Sequence, residues 1–239
     1  MARNWMDKCK AFLLDIFFPN RCPFCGEIIR WDMYSCAACR EKFIEANGKI
    51  CRKCGKHNCS CVEGLNYDMA FASCFFGSDG VNKAVYDFKH IGDTNIAYLT
   101  AEDAAEYMKA ENIAKPDIIV PVPMGRKKQR RRGHNQAELL GRCIGKTLDI
   151  PVRSDILYKY DTEDEQHLHT REEREKRVKE LFYVGEKRLA EGESCVLLCD
   201  DVMTTGSTIN ECARQLKEIG AKKVIAVVCA VTKLEKEEA

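Results

Sequence analysis

Two acids and a run of small hydroxyl residues lie close together near the end of this 239-residue chain. Asp200 and Asp201 follow the apolar segment 194–199, and a hydroxyl-rich turn begins after two further residues. That turn has the order Thr204, Thr205, Gly206, Ser207 and Thr208. Amides and hydroxyls at the start of a helix bind phosphate, and a glycine lets the backbone approach it closely. Because neighbouring carboxylates accept hydrogen bonds from a diol, the segment predicts a ribose 5-phosphate site; the alternative is an ordinary hydroxyl-capped turn.

Cations dominate a second candidate segment, residues 126–132, in which six of the seven side chains belong to Lys or Arg. The formal charge of the whole chain is only +1, so this basic segment is a local field and not part of a polycation. Phosphate-rich ligands suit it, either a diphosphate or a nucleic acid, and a solvated basic loop is the third alternative.

Eight of the fifteen cysteines lie between residues 22 and 61, in three Cys-x2-Cys pairs and one Cys-x-Cys pair. They are Cys22, Cys25, Cys36, Cys39, Cys51, Cys54, Cys59 and Cys61. A two-residue gap lets a tight turn direct two thiolates to one tetrahedral ion, so eight thiolates predict two structural zinc sites. We favour zinc over an iron–sulfur cluster, and a sequential grouping of four and four; an interleaved grouping stays open.

Strand-like and helix-like patterns alternate after about residue 65, where the paired cysteines end. The predicted strands are 67–76, 117–123, 194–199 and 223–231, and the predicted helices are 81–89, 96–110, 135–148 and 207–219. This alternation predicts an α/β fold whose parallel sheet is covered on both faces. Since ligands bind at the carboxyl ends of parallel strands, the acids, the hydroxyl-rich turn and the basic segment should meet at one edge of the sheet.

The chain divides into three predicted parts: an amphipathic helix over 1–20, a Cys-rich module over 21–65 and the α/β domain over 66–239. The helix is predicted from Trp5, Cys9, Phe12, Leu13 and Ile16, and we expect it to dock on the protein; a membrane-surface helix is the alternative. No apolar run is long enough for a membrane span, and no signal-peptide cleavage site is evident. Paired cysteines without a secretion signal favour a cytoplasmic protein.

One near-match is set aside on spacing. Gly141-x3-Gly145-Lys146-Thr147 is one residue short of a nucleotide-binding P-loop and lies within a helical pattern, so we interpret it as part of a helix.

The acids and the hydroxyl-rich turn together resemble the signature of type I phosphoribosyltransferases, an apolar strand, two acids, an apolar pair and Thr-Thr-Gly-Ser-Thr. The resemblance implies that Asp200 and Asp201 are the catalytic pair that engages the ribose 2- and 3-hydroxyls. It implies that residues 204–208 hold the 5-phosphate of phosphoribosyl diphosphate, with magnesium bridging the diphosphate and the ribose hydroxyls.

A wider pattern resembles the ComF family, which is tied to DNA uptake in competent bacteria. Its features here are Pro-Val-Pro at 121–123, the basic segment, Arg-Gly-His-Asn-Gln at 132–136 and a zinc-ribbon module that precedes the phosphoribosyltransferase fold. The resemblance implies that Arg130, Arg132 and Gly133 belong to the diphosphate loop. His134 stands where the family has an aromatic residue.

The family also has a flexible loop between the two ligand loops, with Gln, Arg and Asn at spaced positions. Gln166 and Arg174 match this pattern, and Arg177 stands where Asn is usual. A charged surface helix is the alternative for this segment, and His167 and His169 are weaker candidates as proton donors.

Three functions stay open at this point: a phosphoribosyltransferase with an unidentified acceptor, a sugar-phosphate-binding module without transfer, and a single-stranded-DNA-binding adaptor of the uptake machinery. The resemblance suggests a competence helicase as a protein partner.

Overall fold

The structure is a computed structural model that describes residues 12–13, 15–47, 50–55, 59, 61, 64–78, 80–161 and 180–232. Among these residues, no helix has the length and the apolar character needed to cross a lipid bilayer.

Six strands and six helices have defined bounds among the described residues. The strands are β1 (Met69–Phe76), β2 (Ile118–Pro121), β3 (Leu157–Lys159), β4 (Phe182–Val184), β5 (Cys195–Met203) and β6 (Lys223–Thr232). The helices are α1 (Ala37–Asn47), α2 (Val81–His90), α3 (Asn95–Ala110), α4 (Arg126–Arg132), α5 (Gln136–Leu148) and α6 (Ser207–Glu218).

Four of the strands form one parallel sheet in the order β1–β6–β5–β2. The helices cover both faces of this sheet, as the near-continuous apolar strands predict. On one face, Phe71 and Val227 pack with side chains of α2, α3 and α5 such as Phe88 and Leu140. On the other face, Val228 packs with α6 and with the β3–β4 hairpin. The predicted α/β fold with a parallel sheet is therefore confirmed.

One predicted strand end lies earlier than the observed end. The strand predicted over 194–199 continues through both acids to Met203, because the long apolar strand β6 keeps pairing with it. Asp200 pairs with Val228 and Met203 pairs with Val231 in that ladder. The backbone of the acids is thus held in the sheet, and their side chains are fixed more firmly than loop residues would be.

Gly141 and Gly145 are packing residues within α5. A Cβ built on Gly141 would lie 3.2 Å from Ile119 Cγ2, and one built on Gly145 would lie 2.7 Å from the carbonyl oxygen of Ile150. The glycines bring α5 close to strand β2, which explains why a P-loop-like spacing occurs in the middle of a helix.

Three elements were not predicted from the sequence. The β3–β4 hairpin has strands of only three residues, too short for a period-two pattern to be visible. Helix α4 occupies the basic segment, where we expected a loop; Lys, Arg and Gln are good helix formers, and Asp161 accepts a hydrogen bond from the amide of Lys127 at 3.0 Å. Helix α1 lies within the cysteine module.

The predicted N-terminal helix lies partly outside the described residues. Its described part is helical at residues 12–13 and 15–17, but the large apolar side chains Phe12, Leu13, Ile16 and Phe17 are more than half exposed. Docking of the helix stays a prediction, because Trp5 and Cys9 lie outside the described residues. Phe12 only meets the edge of the Trp31 ring, at a centroid distance of 6.4 Å.

Candidate functional site

A cleft of about 190 Å³ lies where β2 and β5 end. Asp200 and Asp201 reach it from β5, and Val122, Pro123 and Met124 border it just after β2. Its other lining residues are Lys89, Lys128, Arg132, Asn135, Gln136, Ala137, Lys159, Phe182 and Thr208. Two carboxylates and four cationic side chains therefore converge at the sheet edge where the sequence predicted a ligand site.

The two carboxylates are adjacent and only partly exposed. Asp200 accepts a hydrogen bond from the amide of Asp201 at 2.8 Å, and Asp201 accepts one from the amide of Val202 at 2.7 Å. Burial, and then the charge of Asp201, raises the pKa of Asp200 well above its ordinary value. The cleft thus keeps two acceptors side by side at a cost in electrostatic free energy, an arrangement typical of functional sites.

Lys89, at the end of α2, lies against this pair. Its Nζ is 3.1 Å from Oδ2 of Asp201, and its charge also lowers the pKa of Asp200, against the larger effect of burial. The sequence placed this residue at the end of a predicted helix and gave no signal of a functional role. It was missed because the contact joins residues that are 112 positions apart, 201 less 89.

The hydroxyl-rich turn connects β5 to α6. Gly206 is buried in the left-handed conformation with φ of 84°, directly before the helix. Thr205 and Ser207 exchange a hydrogen bond of 2.9 Å between their hydroxyls, Thr204 is exposed, and Thr208 lines the cleft. The amide of Ser207, the first residue of the twelve-residue helix α6, donates a hydrogen bond of 3.3 Å to the Thr205 hydroxyl, and Thr208 brings the start of this helix to the same cleft as the two acids.

Helix α4 presents two different faces. Lys128 and Arg132, one helical turn apart, are half-buried and line the cleft. Arg130 and Arg131 are exposed and do not line it, and Gly133, also exposed, ends the helix. Of the residues predicted for the diphosphate loop, the structure brings Arg132 to the cleft and leaves Arg130 in solvent, while Lys128 is an additional cation that we had not singled out.

The Asn135–Gln136 pair fixes the position of α4 and α5. Asn135 accepts a hydrogen bond from the amide of Ala137 at 3.1 Å and donates one to the carbonyl of Val122 at 3.0 Å. Gln136, which is 1% exposed, donates to the carbonyl of Lys89 at 2.9 Å and accepts from Arg132 at 3.3 Å. The side-chain amides of these two residues connect α2, the end of β2 and the basic helix. This structural role accounts for the Asn-Gln that follows Arg-Gly-His in the sequence.

His134 packs away from the cleft. Its Nε2 lies 3.4 Å from the carbonyl oxygen of Phe88, and its ring faces Gly92. The histidine therefore fills a packing position between α2 and α5, and it has no contact with the acids among the described residues.

The β3–β4 hairpin closes another side of the cleft with Lys159 and Phe182. Lys159 Nζ lies 5.4 Å from the centre of the Phe182 ring. The segment predicted as a flexible loop, with Gln166, His167, His169, Arg174 and Arg177, connects these two strands and lies outside the described residues.

The cysteine thiols form two separate groups of four. Cys22, Cys25, Cys36 and Cys39 make the first, and Cys51, Cys54, Cys59 and Cys61 make the second. Within each group every sulfur lies within 4.8 Å of the others, and contacts range from 3.4 Å for Cys51–Cys61 to 3.9 Å for Cys54–Cys61.

These distances fit zinc. Four thiolates at a Zn–S distance of about 2.3 Å place the sulfurs of a tetrahedron about 3.8 Å apart. All four positions of each group are thiolates, so both sites are structural and leave no coordination position for a substrate. The observed grouping is the sequential one; the interleaved alternative is not what the structure adopts.

Comparison with known domain families gives two matches. Residues 13–74 match the double zinc ribbon domain, and residues 141–239 match the phosphoribosyl transferase domain. The first match contains all eight clustered cysteines, and the second contains the two acids and the hydroxyl-rich turn. The small N-terminal zinc-ribbon module and the phosphoribosyltransferase fold are thus both confirmed.

Three relatives are similar to parts of the chain. Competence protein F of Haemophilus influenzae is 32% identical over 54% of this chain and 55% of its own length. Competence protein ComFC of Bacillus subtilis is 26% identical over 81% of this chain and 82% of its own length. A DNA utilization protein of Escherichia coli is 33% identical over 46% of this chain and 47% of its own length. The matches to the first and third span about half of those relatives.

Proposed function

Because the chain belongs to the ComF family, we propose that it binds phosphoribosyl diphosphate with magnesium in the cleft described above, and that it takes part in competence. The relatives named competence proteins support the second half of this proposal. A cytoplasmic location, where thiolates stay reduced, belongs to the same proposal.

The observation that carries the binding proposal is that acidic, hydroxyl and cationic side chains line one cleft. Asp200 and Asp201 line it from β5, Thr208 lines it from the hydroxyl-rich turn, and Lys128 and Arg132 line it from α4. A ligand with a diol, a monophosphate and a diphosphate matches all three groups at once. Neither a nucleic-acid backbone nor a plain phosphate would use the carboxylates.

Each group then has a defined task. Asp200 and Asp201 accept hydrogen bonds from the ribose hydroxyls, while the amides and hydroxyls of residues 204–208 hold the 5-phosphate. Lys128 and Arg132 neutralise the diphosphate, and Lys89 restrains Asp201. Carboxylate and phosphate oxygens are the ligands that Mg²⁺ prefers, so the donor set near Asp200 fits a magnesium ion that arrives with the diphosphate. Magnesium would neutralise that diphosphate as a leaving group.

Whether the ribose is transferred or only bound is decided by experiment. Isothermal titration calorimetry of the full chain with phosphoribosyl diphosphate should show saturable binding that requires Mg²⁺ and is lost in Asp201→Asn. Release of diphosphate in the presence of candidate acceptors would establish transfer. Absence of binding by the wild-type protein, with zinc content intact, contradicts the proposal.

The exposed face of α4 favours a second candidate function, binding of single-stranded DNA. Arg130 and Arg131 are exposed beside the cleft and, unlike Arg132, do not line it. Electrostatic binding through them weakens steeply with salt. The affinity should fall in the Arg130→Ala, Arg131→Ala double variant and persist in Asp200→Asn; equal affinity in the double variant would contradict binding through this face.

A further inference from the structure

The second zinc site lies directly beneath the hydroxyl-rich turn. Its ligand Cys54 is 2% exposed, and the carbonyl oxygen of Cys54 accepts a hydrogen bond of 3.1 Å from the Tyr67 hydroxyl. Gly55, the next residue, has φ of 70°, and a Cβ built on it would lie 2.1 Å from Met203 Cε. The turn that carries the thiolate therefore rests on two side chains, Tyr67 and Met203, with no room for a side chain at residue 55.

The same two side chains contact the phosphate turn from the other side. A Cβ built on Gly206 would lie 3.5 Å from Met203 Sδ and 3.6 Å from the Tyr67 hydroxyl oxygen. Met203 is the last residue of β5, so it immediately precedes the turn. Tyr67 and Met203, both less than 5% exposed, thus form a layer one side chain thick between Cys54–Gly55 and Gly206.

Backbone contacts join the same two regions. The amide of Asn66 donates a hydrogen bond of 2.7 Å to the side chain of Asn210 in the first turn of α6. The amide of Ala70 donates one of 2.9 Å to the carbonyl of Arg52, which lies between Cys51 and Cys54. The Arg52 guanidinium stacks 4.5 Å from the centre of the Tyr107 ring. The second site is consequently built into the domain that carries the cleft.

The first zinc site packs elsewhere. Cys22, Phe24 and Cys36 belong to the core on the opposite face of the sheet, whereas Tyr67 and Met203 belong to the core on the α6 face. Phe24 packs its backbone against Gly80 before α2, and Asn95 donates hydrogen bonds to Asn20 and Arg21. No contact with the hydroxyl-rich turn occurs among the described residues of this site.

We propose that the second zinc site is a positioning element of the phosphate turn. Zinc held by Cys51, Cys54, Cys59 and Cys61 fixes the Cys54–Gly55 backbone, and Tyr67 and Met203 transmit that position to Gly206. Loss of zinc from this site loosens the turn and weakens binding of a sugar phosphate, whereas loss of zinc from the first site does not. The inference rests on the proposed function of residues 204–208 as the 5-phosphate cradle.

Two matched pairs of variants test the inference by calorimetry with phosphoribosyl diphosphate and Mg²⁺, with zinc content measured by mass spectrometry. Cys61→Ser and Cys25→Ser each remove one exposed thiolate, from the second and the first site respectively. Each should lose zinc, and only Cys61→Ser should lose affinity. Tyr67→Phe removes the hydroxyl above Cys54 and keeps all thiolates; Tyr34→Phe is its control, because Tyr34 stacks on Tyr98 beside the other site.

We expect Tyr67→Phe to keep its zinc and to weaken ligand binding about three- to tenfold, the range for loss of one hydrogen bond. Tyr34→Phe should bind like the wild type. Equal affinities in Tyr67→Phe and the wild type, or equal losses in Cys61→Ser and Cys25→Ser, overturn the inference.

Hydrogen exchange separates this inference from the proposed function. If the wild-type protein binds no phosphoribosyl diphosphate, the proposed function fails, but the amides of residues 204–208 should still exchange faster in Cys61→Ser than in Cys25→Ser. Unchanged exchange of these amides in Cys61→Ser would overturn the positioning role by itself.

Discussion

At the scale of single residues, the electrostatics of the cleft are set by Asp200, Asp201 and Lys89. Asp200 has a pKa raised above its ordinary value because it is buried and lies next to a second carboxylate. A group whose pKa is higher in the folded protein than in the unfolded chain loses stabilisation as the pH rises through the interval between the two values. Above the ordinary pKa of a carboxyl group, the raised pKa of Asp200 therefore lowers the stability of the protein without ligand.

Replacing Asp200 with Asn should remove this unfavourable charge. We expect Asp200→Asn without ligand to unfold at a higher temperature than the wild type, with a free energy of unfolding that is larger by about 1–2 kcal/mol. We also expect this variant to lose phosphoribosyl diphosphate binding. Differential scanning calorimetry and titration calorimetry measure the two effects. A lower melting temperature in Asp200→Asn would show that the carboxylate is satisfied in the free protein.

Lys89 offers a second test at this scale. Its positive charge opposes the rise in the pKa of Asp200, so Lys89→Met should raise that pKa further. Because we propose that this carboxylate accepts hydrogen bonds from the ribose, affinity should increase with pH as Asp200 ionises, and the midpoint of this increase should move to higher pH in Lys89→Met. Titrations at several pH values measure the midpoint. Lys83→Met is the control, since Lys83 lies on the same helix and pairs with Asp87; a midpoint that stays in place in Lys89→Met would contradict the assignment.

At the scale of elements, α4 is a basic helix with one face in the cleft and one in solvent. Arg132 lines the cleft and donates to the buried Gln136, whereas Arg130, two residues away, is exposed. Residues two apart point to different sides of a helix, so the two arginines differ in role although they look alike in the sequence.

Neutralising them one at a time separates the two faces. Arg132→Ala should weaken phosphoribosyl diphosphate binding about 10- to 100-fold, as loss of a charge-assisted hydrogen bond would. Arg130→Ala should leave this affinity nearly unchanged at physiological salt, where exposed charges are screened. Titration calorimetry measures both variants. The reverse order of effects would mean that α4 turns its other face to the ligand.

At the scale of the whole molecule, the zinc module is joined to the larger domain by an ion pair. Arg40 of α1 pairs with Asp103 of α3, whose side chain is 7% exposed, and it also lies 3.9 Å from the exposed Glu106. Removing one member of a buried ion pair leaves the other charge buried without its partner. This destabilises a protein more than replacing both charges with apolar side chains does.

Asp103→Ala should therefore destabilise the protein by about 3 kcal/mol, the lower end of the range for a broken buried pair, because Arg40 keeps some exposure. Glu106→Ala, which removes the exposed neighbour, should change the unfolding free energy by less than about 1 kcal/mol. Thermal and denaturant unfolding, with zinc content as a second measurement, compare the variants. Equal stabilities would show that the module docks mainly through its apolar contacts.

Local sequence patterns were enough to predict the candidate binding residues of this protein and the order of its main elements. Paired cysteines, the acids before the hydroxyl-rich turn and the alternation of apolar segments are local patterns, because each depends on residues that are neighbours along the chain. The strands and helices of the sheet follow from such patterns, and so do the sets of residues that could hold zinc and a sugar phosphate.

Which of these residues lie together depends on the packing of the whole fold. Lys89, Lys128, Lys159 and Gln136 reach the cleft from separate elements, and Arg130 is turned away from it by the helical period of a segment that we expected to be a loop. The contact of Tyr67 and Met203 with both the second cysteine group and the hydroxyl-rich turn joins residues far apart in the chain. Contacts of this kind are set by how helices and strands pack, and packing is fixed by the whole fold and not by any local pattern.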